Sequence, residues 1–372
     1  MGILRLILAL SVYFIHTGWI NGFVIFQDRF RPVYSFFIIS GFYMAFILNK
    51  KYVGNKGSYS LFITNRFLRI YPIYWVVILI SIMFSSLMLL NGINIGGALS
   101  YLSYYSFLMQ HNFWMLPVVI TADIIRNISL VIHCGYFTRC DYSSGLSTAA
   151  QAWTLNLELL FYMIAPFLLR KKGLTRWLVI AGVFLTWYII FHFQLLSFYS
   201  TGYQFMHAMK FFMLGFISFI LYEKLPFKKI PRLSLIAICS IFILTILMYA
   251  HIPLPDLRFR WLIFNDYIFY LIVTASVPFL FQLSNIFRFD ALLGQLSYPI
   301  YITHLLTNDL LISTNLVKPN TQLFIVIGLI WVLIFSLGMT YLIENPIDKF
   351  RQKRIAVVKL PEKIKKRKMV KN

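Results

Sequence analysis

Two residues able to bind an anion and to move a proton stand eleven apart in the first apolar run of this chain. Arg5 and His16 lie within Ile3-to-Val24, a stretch otherwise broken only by Ser11, Thr17 and Asn21. On a helix they fall within about 20° of one another and roughly 16 Å apart along the axis. An ionisable ring in such a run is costly unless it faces a polar cavity, so it marks a site. One stripe would carry a cation at the membrane edge and a titratable base near the midplane.

Other apolar segments bring further polar groups. Glu158, in Trp153-Thr154-Leu155-Asn156-Leu157-Glu158, falls about 15 Å into a span that begins near residue 148. A carboxylate there costs several kcal/mol unless paired or protonated. It reads as a general acid or base, as a partner that orients His16, or as a structural hydrogen bond between helices. His304 lies eleven residues into a later span, with Ser297 and Tyr301 at helical spacing before it, which builds one polar stripe. A site role and a packing role both fit it. Arg66 and Arg69 share a helical face just before Pro72. They read equally as an interfacial anchor or as a phosphate clamp, since a guanidinium grips phosphate bidentately. Lys210, Asp266 and Glu344 are charges without a motif. The sequence holds no P-loop, GxGxxG, CxxC pair or HExxH, so no metal site is expected.

The elements that must position these groups are membrane helices. The 372 residues are 60% hydrophobic and 12% charged, against about 25% charged in soluble domains, and mean hydropathy is +0.76. This is an all-α polytopic membrane protein. Runs of spanning length cover 3–24, 32–49, 68–90, 148–169, 174–193, 205–222, 232–250, 260–282, 293–313 and 322–343, so about ten transmembrane helices are expected. The first run lacks a small-residue cleavage site and outlasts a signal sequence, so it is read as retained. An even count puts both termini on one side. Of the Lys and Arg residues, 26 then fall on the side of the termini and seven on the other. The positive-inside rule makes both termini cytoplasmic. Without the tail the split is still 15 to seven.

A transmembrane domain over 1–346 and a basic cytoplasmic tail over 347–372 follow. The tail explains much of the +22 charge as attraction to anionic lipid, about 1 kcal/mol per basic residue. No folded module suggests nucleic acid. Residues 91–147 form a long extracytoplasmic loop, in which the aromatic stretch Ser100–Thr121 lies in the interface or dips into the protein. Cys134 and Cys140 in this loop could pair in an oxidising compartment. Asn127-Ile128-Ser129 matches a glycosylation sequon, a pattern that arises easily by chance. Cys239 reads as an inert core residue.

Taken in order, these residues resemble the membrane-bound acyltransferase-3 family. Arg5 and His16 match its R-x10-H spacing, Phe36-Phe37-Ile38-Ile39-Ser40-Gly41-Phe42 its FFxxSGF block, and Arg66-Phe67-Leu68-Arg69 its R-x-x-R. Trp153 to Glu158 with Phe161-Tyr162 is similar to WSLxxExxFY, and Ser297 to His304 to SYxxYxxH. The acidic residue and glycine usual around the first arginine are missing, and Thr154 replaces a common serine. The hydrolase-like domain fused to some relatives is expected to be absent, since the chain ends in the basic tail.

The resemblance implies transfer of an acyl group, usually acetyl, from cytoplasmic acyl-CoA to a hydroxyl of an extracytoplasmic or lipid-linked glycan. It makes acetyl-CoA the donor substrate, with no permanently bound cofactor. His16 and Glu158 would be catalytic, His16 as general base and Glu158 orienting it or tuning its basicity. Arg5, Arg66 and Arg69 would hold CoA phosphates, and Ser40, Trp153, Tyr301 and His304 would line the substrate cavity. The expected setting is the plasma (inner) membrane of a bacterium, with O-antigen, capsule or exopolysaccharide as acceptor. The alternative is a transporter or flippase for a lipid-linked or acidic substrate, using the same charges as binding sites or proton relays. That reading expects an internal repeat, and none stands out between the two halves of the sequence.

Overall fold

The computed structural model describes residues 1–22, 24, 26, 30–52, 58–90, 150–197, 200–249, 260–287 and 289–358. The loop features read above (Ser100–Thr121, the Asn127 sequon, Cys134 and Cys140) and the tail beyond 358 lie outside these residues. Among the described residues all regular structure is helical. The helices are α1 (Gly2–Thr17), α2 (Phe30–Lys50), α3 (Ser58–Leu90), α4 (Trp153–Leu168), α5 (Gly173–His192) and α6 (Thr201–Lys224). They continue with α7 (Arg232–Met248), α8 (Arg260–Ser284), α9 (Phe289–Ser313), α10 (Gln322–Met339) and α11 (Asn345–Val358), with a π turn, Thr340–Glu344, joining the last two.

Among the described residues six stretches are long and apolar enough to cross a membrane: α2, Ser58–Met88 of α3, α5, α6, Asp266–Ser284 of α8, and Gln322–Ile355 through α10 and α11. The protein is therefore a multi-pass membrane protein. Large apolar side chains such as Met83, Leu174, Leu233 and Ile334 point outward, as a lipid-facing surface requires. α1 and α4, which carry candidate site residues, are shorter apolar helices. α9 is long, but its interior holds Ser297, Thr303, His304, Thr307 and Asn308, all buried. Seating polar groups on a helix lowers the apolarity by which spans are recognised.

Small residues set the closest packing. A Cβ on Gly41 of α2 would lie 2.2 Å from the Phe212 carbonyl oxygen of α6, and one on Gly215 would lie 2.1 Å from that of Ile38. The two backbones touch at this crossing, where small residues let the helices approach. α1 packs as closely on α9, where a Cβ on Gly294 would stand 3.2 Å from the Cα of Gly2. The Asp290 carboxylate at the start of α9 accepts from the N–H groups of Gly2 (2.6 Å) and Ile3 (2.9 Å). It thereby caps a neighbouring helix whose first donors have no intrahelical acceptor. At the far end of α1, the Tyr13 hydroxyl donates to the Ile325 carbonyl of α10 at 2.7 Å.

α1 is shorter than the first apolar run. Gly18 adopts φ 107 and its N–H closes on Phe14 O, and Asn21 follows at φ 49. These conformations are incompatible with a continuing helix. His16 accordingly stands in the last turn of α1, exposed, instead of midway along a 22-residue span. Residues read as the start of a surface tail form α11, with Arg351 and Ile355 buried. Arg354 anchors that helix, donating from Nη1 to Asn65 Oδ1 (3.1 Å) and from Nη2 to Thr64 Oγ1 (2.9 Å) on α3.

Candidate active site

A cleft of about 780 Å³, mouth included, opens between α1, α2, α3, α4 and α9. Its polar walls come from Arg5, Ser40, Arg69, Glu158, Tyr162 and Tyr301. Glu158 and Tyr162 sit four apart on α4 and so share a face. The Tyr162 hydroxyl donates to Glu158 Oε1, and the Ser40 hydroxyl donates to the same oxygen at 2.7 Å. Ser40 is held there because its neighbour Gly41 lets α2 press against α6. Two donors thus fix one carboxylate, each such bond to a charged group contributing about 1.5–3 kcal/mol. Arg5 and Arg69 feel each other's charge and that of both Glu158 and Glu344. Next to Arg69, the Tyr298 hydroxyl donates to the Ile70 carbonyl at 2.6 Å and ties α9 to α3.

A second cavity, of about 370 Å³, adjoins the first. It is lined by His16, Gln151 and Trp153 among others, and Val33 and Tyr301 border both spaces. The shared wall is braced. Tyr301 Oη lies 2.7 Å from Thr154 Oγ1 and 3.0 Å from Gln151 O, while Gln151 Nε2 donates to Ile302 O at 2.6 Å. The His16 ring lies against the His304 ring, centroids 5.1 Å apart. His304 Nδ1 is 2.7 Å from the Tyr301 carbonyl. A carbonyl can only accept, so Nδ1 donates, and Nε2 of the neutral ring is an acceptor. That Nε2 is buried and has no hydrogen-bond partner.

Eight of the nine residues singled out in the sequence thus meet around two joined spaces. Arg5, Ser40, Arg69, Glu158 and Tyr301 line the first, His16, Trp153 and Tyr301 the second, and His304 backs His16. Arg66 is placed differently. It is buried off the cleft wall, its guanidinium 5.8 Å from the Phe62 ring centroid and 6.0 Å from that of Tyr162. Glu158 and His16 line different spaces, and it is His304 that faces His16 ring to ring. Sequence reasoning named Tyr162 within a family block and Glu344 as a charge without a motif but gave neither a role, and it did not single out Gln151 or Arg351. Tyr162 carried a usable signal, four residues after Glu158. Glu344 and Arg351 depend on a π turn and on a helix docking that no local pattern announces. Among the described residues no group of three His, Cys, Asp or Glu is arranged to hold a metal ion.

The fold and the paired cavities define a helical membrane protein with two adjoining, partly polar spaces between its helices. Residues 1–341 match the sequence profile of the acyltransferase-3 family, described as an acyltransferase domain, and the chain belongs to that family. It is 30% identical over 216 residues to nodulation protein 10 of Rhizobium leguminosarum bv. viciae, covering 53% of this chain and 52% of the relative. It is 26% identical over 205 residues to an uncharacterized protein of Aquifex aeolicus, covering 54% of this chain and 88% of the relative. The match thus spans about half the length of the nodulation protein. No solved structure matches the chain.

Proposed function

We propose that the protein transfers an acyl group, acetyl in the first instance, from acyl-CoA in the Arg5–Arg69 cleft to a sugar hydroxyl at the His16 cavity. The supporting observation is that two spaces of different chemistry adjoin at Val33 and Tyr301. The first has cations suited to a phosphorylated donor. The second has an imidazole, whose basicity near neutral pH suits proton removal from a hydroxyl. Arg5 and His16 are separated by roughly 16 Å along α1, a distance suited to an extended pantetheine arm. In the step proposed, His16 takes the hydroxyl proton as the oxygen bonds to the acyl carbon. The C–S bond then breaks and the proton held by His16 passes to the sulfur, so that CoA leaves as its thiol and His16 is neutral again. The His304 ring, packed against that of His16 with centroids 5.1 Å apart, orients it. Glu158, gripped by Ser40 and Tyr162, keeps Arg5 and Arg69 in place.

In this reading ten helices cross the plasma membrane of a bacterium, and both termini are cytoplasmic. The donor cleft faces the cytoplasm, and the acceptor is a surface or lipid-linked polysaccharide outside. Family membership favours acyl transfer over carriage of the glycan. The test is transfer of label from radiolabelled acetyl-CoA to envelope glycan in membranes with equal amounts of wild type or His16→Ala. Label with wild type alone is the expected result. Equal label from both, above membranes lacking the protein, removes His16 from its role. No label from wild type, with acceptor shown to be present, removes the acyl-transfer reading.

A further inference from the structure

Arg351 and Arg66 are both 6% exposed, and the Nε atom of each is buried without a hydrogen-bond partner. Arg351 Nη1 contacts Asp348 at 3.1 Å on its own helix. The same side chain feels the charges of Arg66 and Arg69 on α3. Glu344, in the π turn just before α11, presents a buried Oε2 that also lacks a partner. Like charges gathered away from water are costly, and the cost is offset when an anion is shared among them. The positive charge here falls into two groups. Arg5 and Arg69 stand on the cleft wall, whereas Arg66 and Arg351 stand off it. Arg66 is one turn from Arg69, about 4.5 Å along α3.

We propose that Arg351, with Arg66, forms a second phosphate subsite next to the one on the cleft wall, and that it receives the 3′-phosphate of the CoA nucleotide. The inference rests on the acyl-CoA reading above and goes further by naming the form of the donor. CoA carries a diphosphate and a separate ribose 3′-phosphate, two anionic groups at two places. A pantetheine arm on a carrier protein has a single phosphodiester and cannot fill both subsites. The donor is therefore free acyl-CoA, and α11 is part of its binding site. Docking of Arg354 on Asn65 and Thr64 holds α11 against α3, and Arg351, three residues earlier on α11, is buried within reach of the charge of Arg66, the residue after Asn65.

The test is equilibrium binding of radiolabelled CoA and of 3′-dephospho-CoA to the full-length protein in detergent. Wild type should bind CoA about tenfold or more tightly than dephospho-CoA, the size expected for one hydrogen-bonded charge contact. Arg351→Gln should weaken CoA binding by that factor and leave dephospho-CoA binding unchanged, which also shows that the variant is folded. Arg351→Lys should recover part of the preference. Equal binding of the two nucleotides by wild type would overturn the second subsite. So would an Arg351→Gln variant that keeps the full preference, or one that loses both nucleotides equally. Absence of CoA binding by wild type would overturn the acyl-CoA reading itself, a different result from these.

Discussion

In the proposed reaction His16 and His304 take different parts. The His304 ring is fixed by its bond to the Tyr301 carbonyl and presents an acceptor towards the cavity, whereas His16 is exposed to the space where an acceptor hydroxyl would sit. Loss of a positioned base typically costs about 10²–10⁴ in rate. His16→Ala should therefore lower the rate of acetyl transfer at least about a hundredfold, with little change in KM for acetyl-CoA. His304→Ala should lower kcat by less and leave both KM values near wild type, since it acts through the orientation of His16. Equal rates for His304→Ala and wild type would show that the ring only packs. Arg69→Ala should raise KM for acetyl-CoA with a smaller effect on kcat, because it serves the donor and not the bond being made. Most of this was visible as residue types at depth in apolar runs. The His16–His304 juxtaposition was not, because nothing local states which of several buried polar groups on different helices will meet.

At the level of helices, close approach and capping decide where these side chains stand. Gly41 and Gly215 let α2 and α6 touch backbone to backbone, and Ser40 owes its position to that contact. Gly41→Ala would force a methyl against the Phe212 backbone; overpacking of this kind costs roughly 1–3 kcal/mol or more. The yield of folded protein and its melting temperature should both fall. Gly182→Ala on α5, where an added Cβ meets nothing within 4 Å, should leave melting unchanged or slightly higher and serves as the control. Asp290→Ala should remove the cap on α1 and cost about 1 kcal/mol, seen as a lower melting temperature that Asp290→Asn largely restores. The apolar runs marked the helices well. The end of α1 was misplaced because Gly18 and Asn21 are punctuation inside an apolar run, which hydropathy alone reads straight through. α11 was taken for tail because its basic composition conceals Arg351 and Ile355, which become buried only once the helix docks on α3.

The molecule as a whole is a bundle in which the Met1 end of α1 carries Arg5 and the other end carries His16, so the cleft with Arg5 and the cavity with His16 lie towards opposite ends of that helix. In the proposed topology the excess of Lys and Arg on the side of Met1 sets that face towards the cytoplasm. Hydropathy made the multi-pass helical bundle readable in outline. The junction of the two spaces at Val33 and Tyr301 was not readable, since it depends on how α2 and α9 pack. The central claim is that the acyl group crosses from one face to the other through this junction. The most direct measurement uses sealed vesicles of known orientation with an endogenous glycan acceptor and membrane-impermeant radiolabelled acetyl-CoA added outside. Inverted vesicles, whose cytoplasmic face is outward, should label acceptor that stays protected in the lumen until the membrane is opened. Right-side-out vesicles should label nothing until they are permeabilised. Equal labelling of both kinds while sealed, or labelled acceptor accessible on the donor side alone, would contradict passage of the acyl group through the bundle.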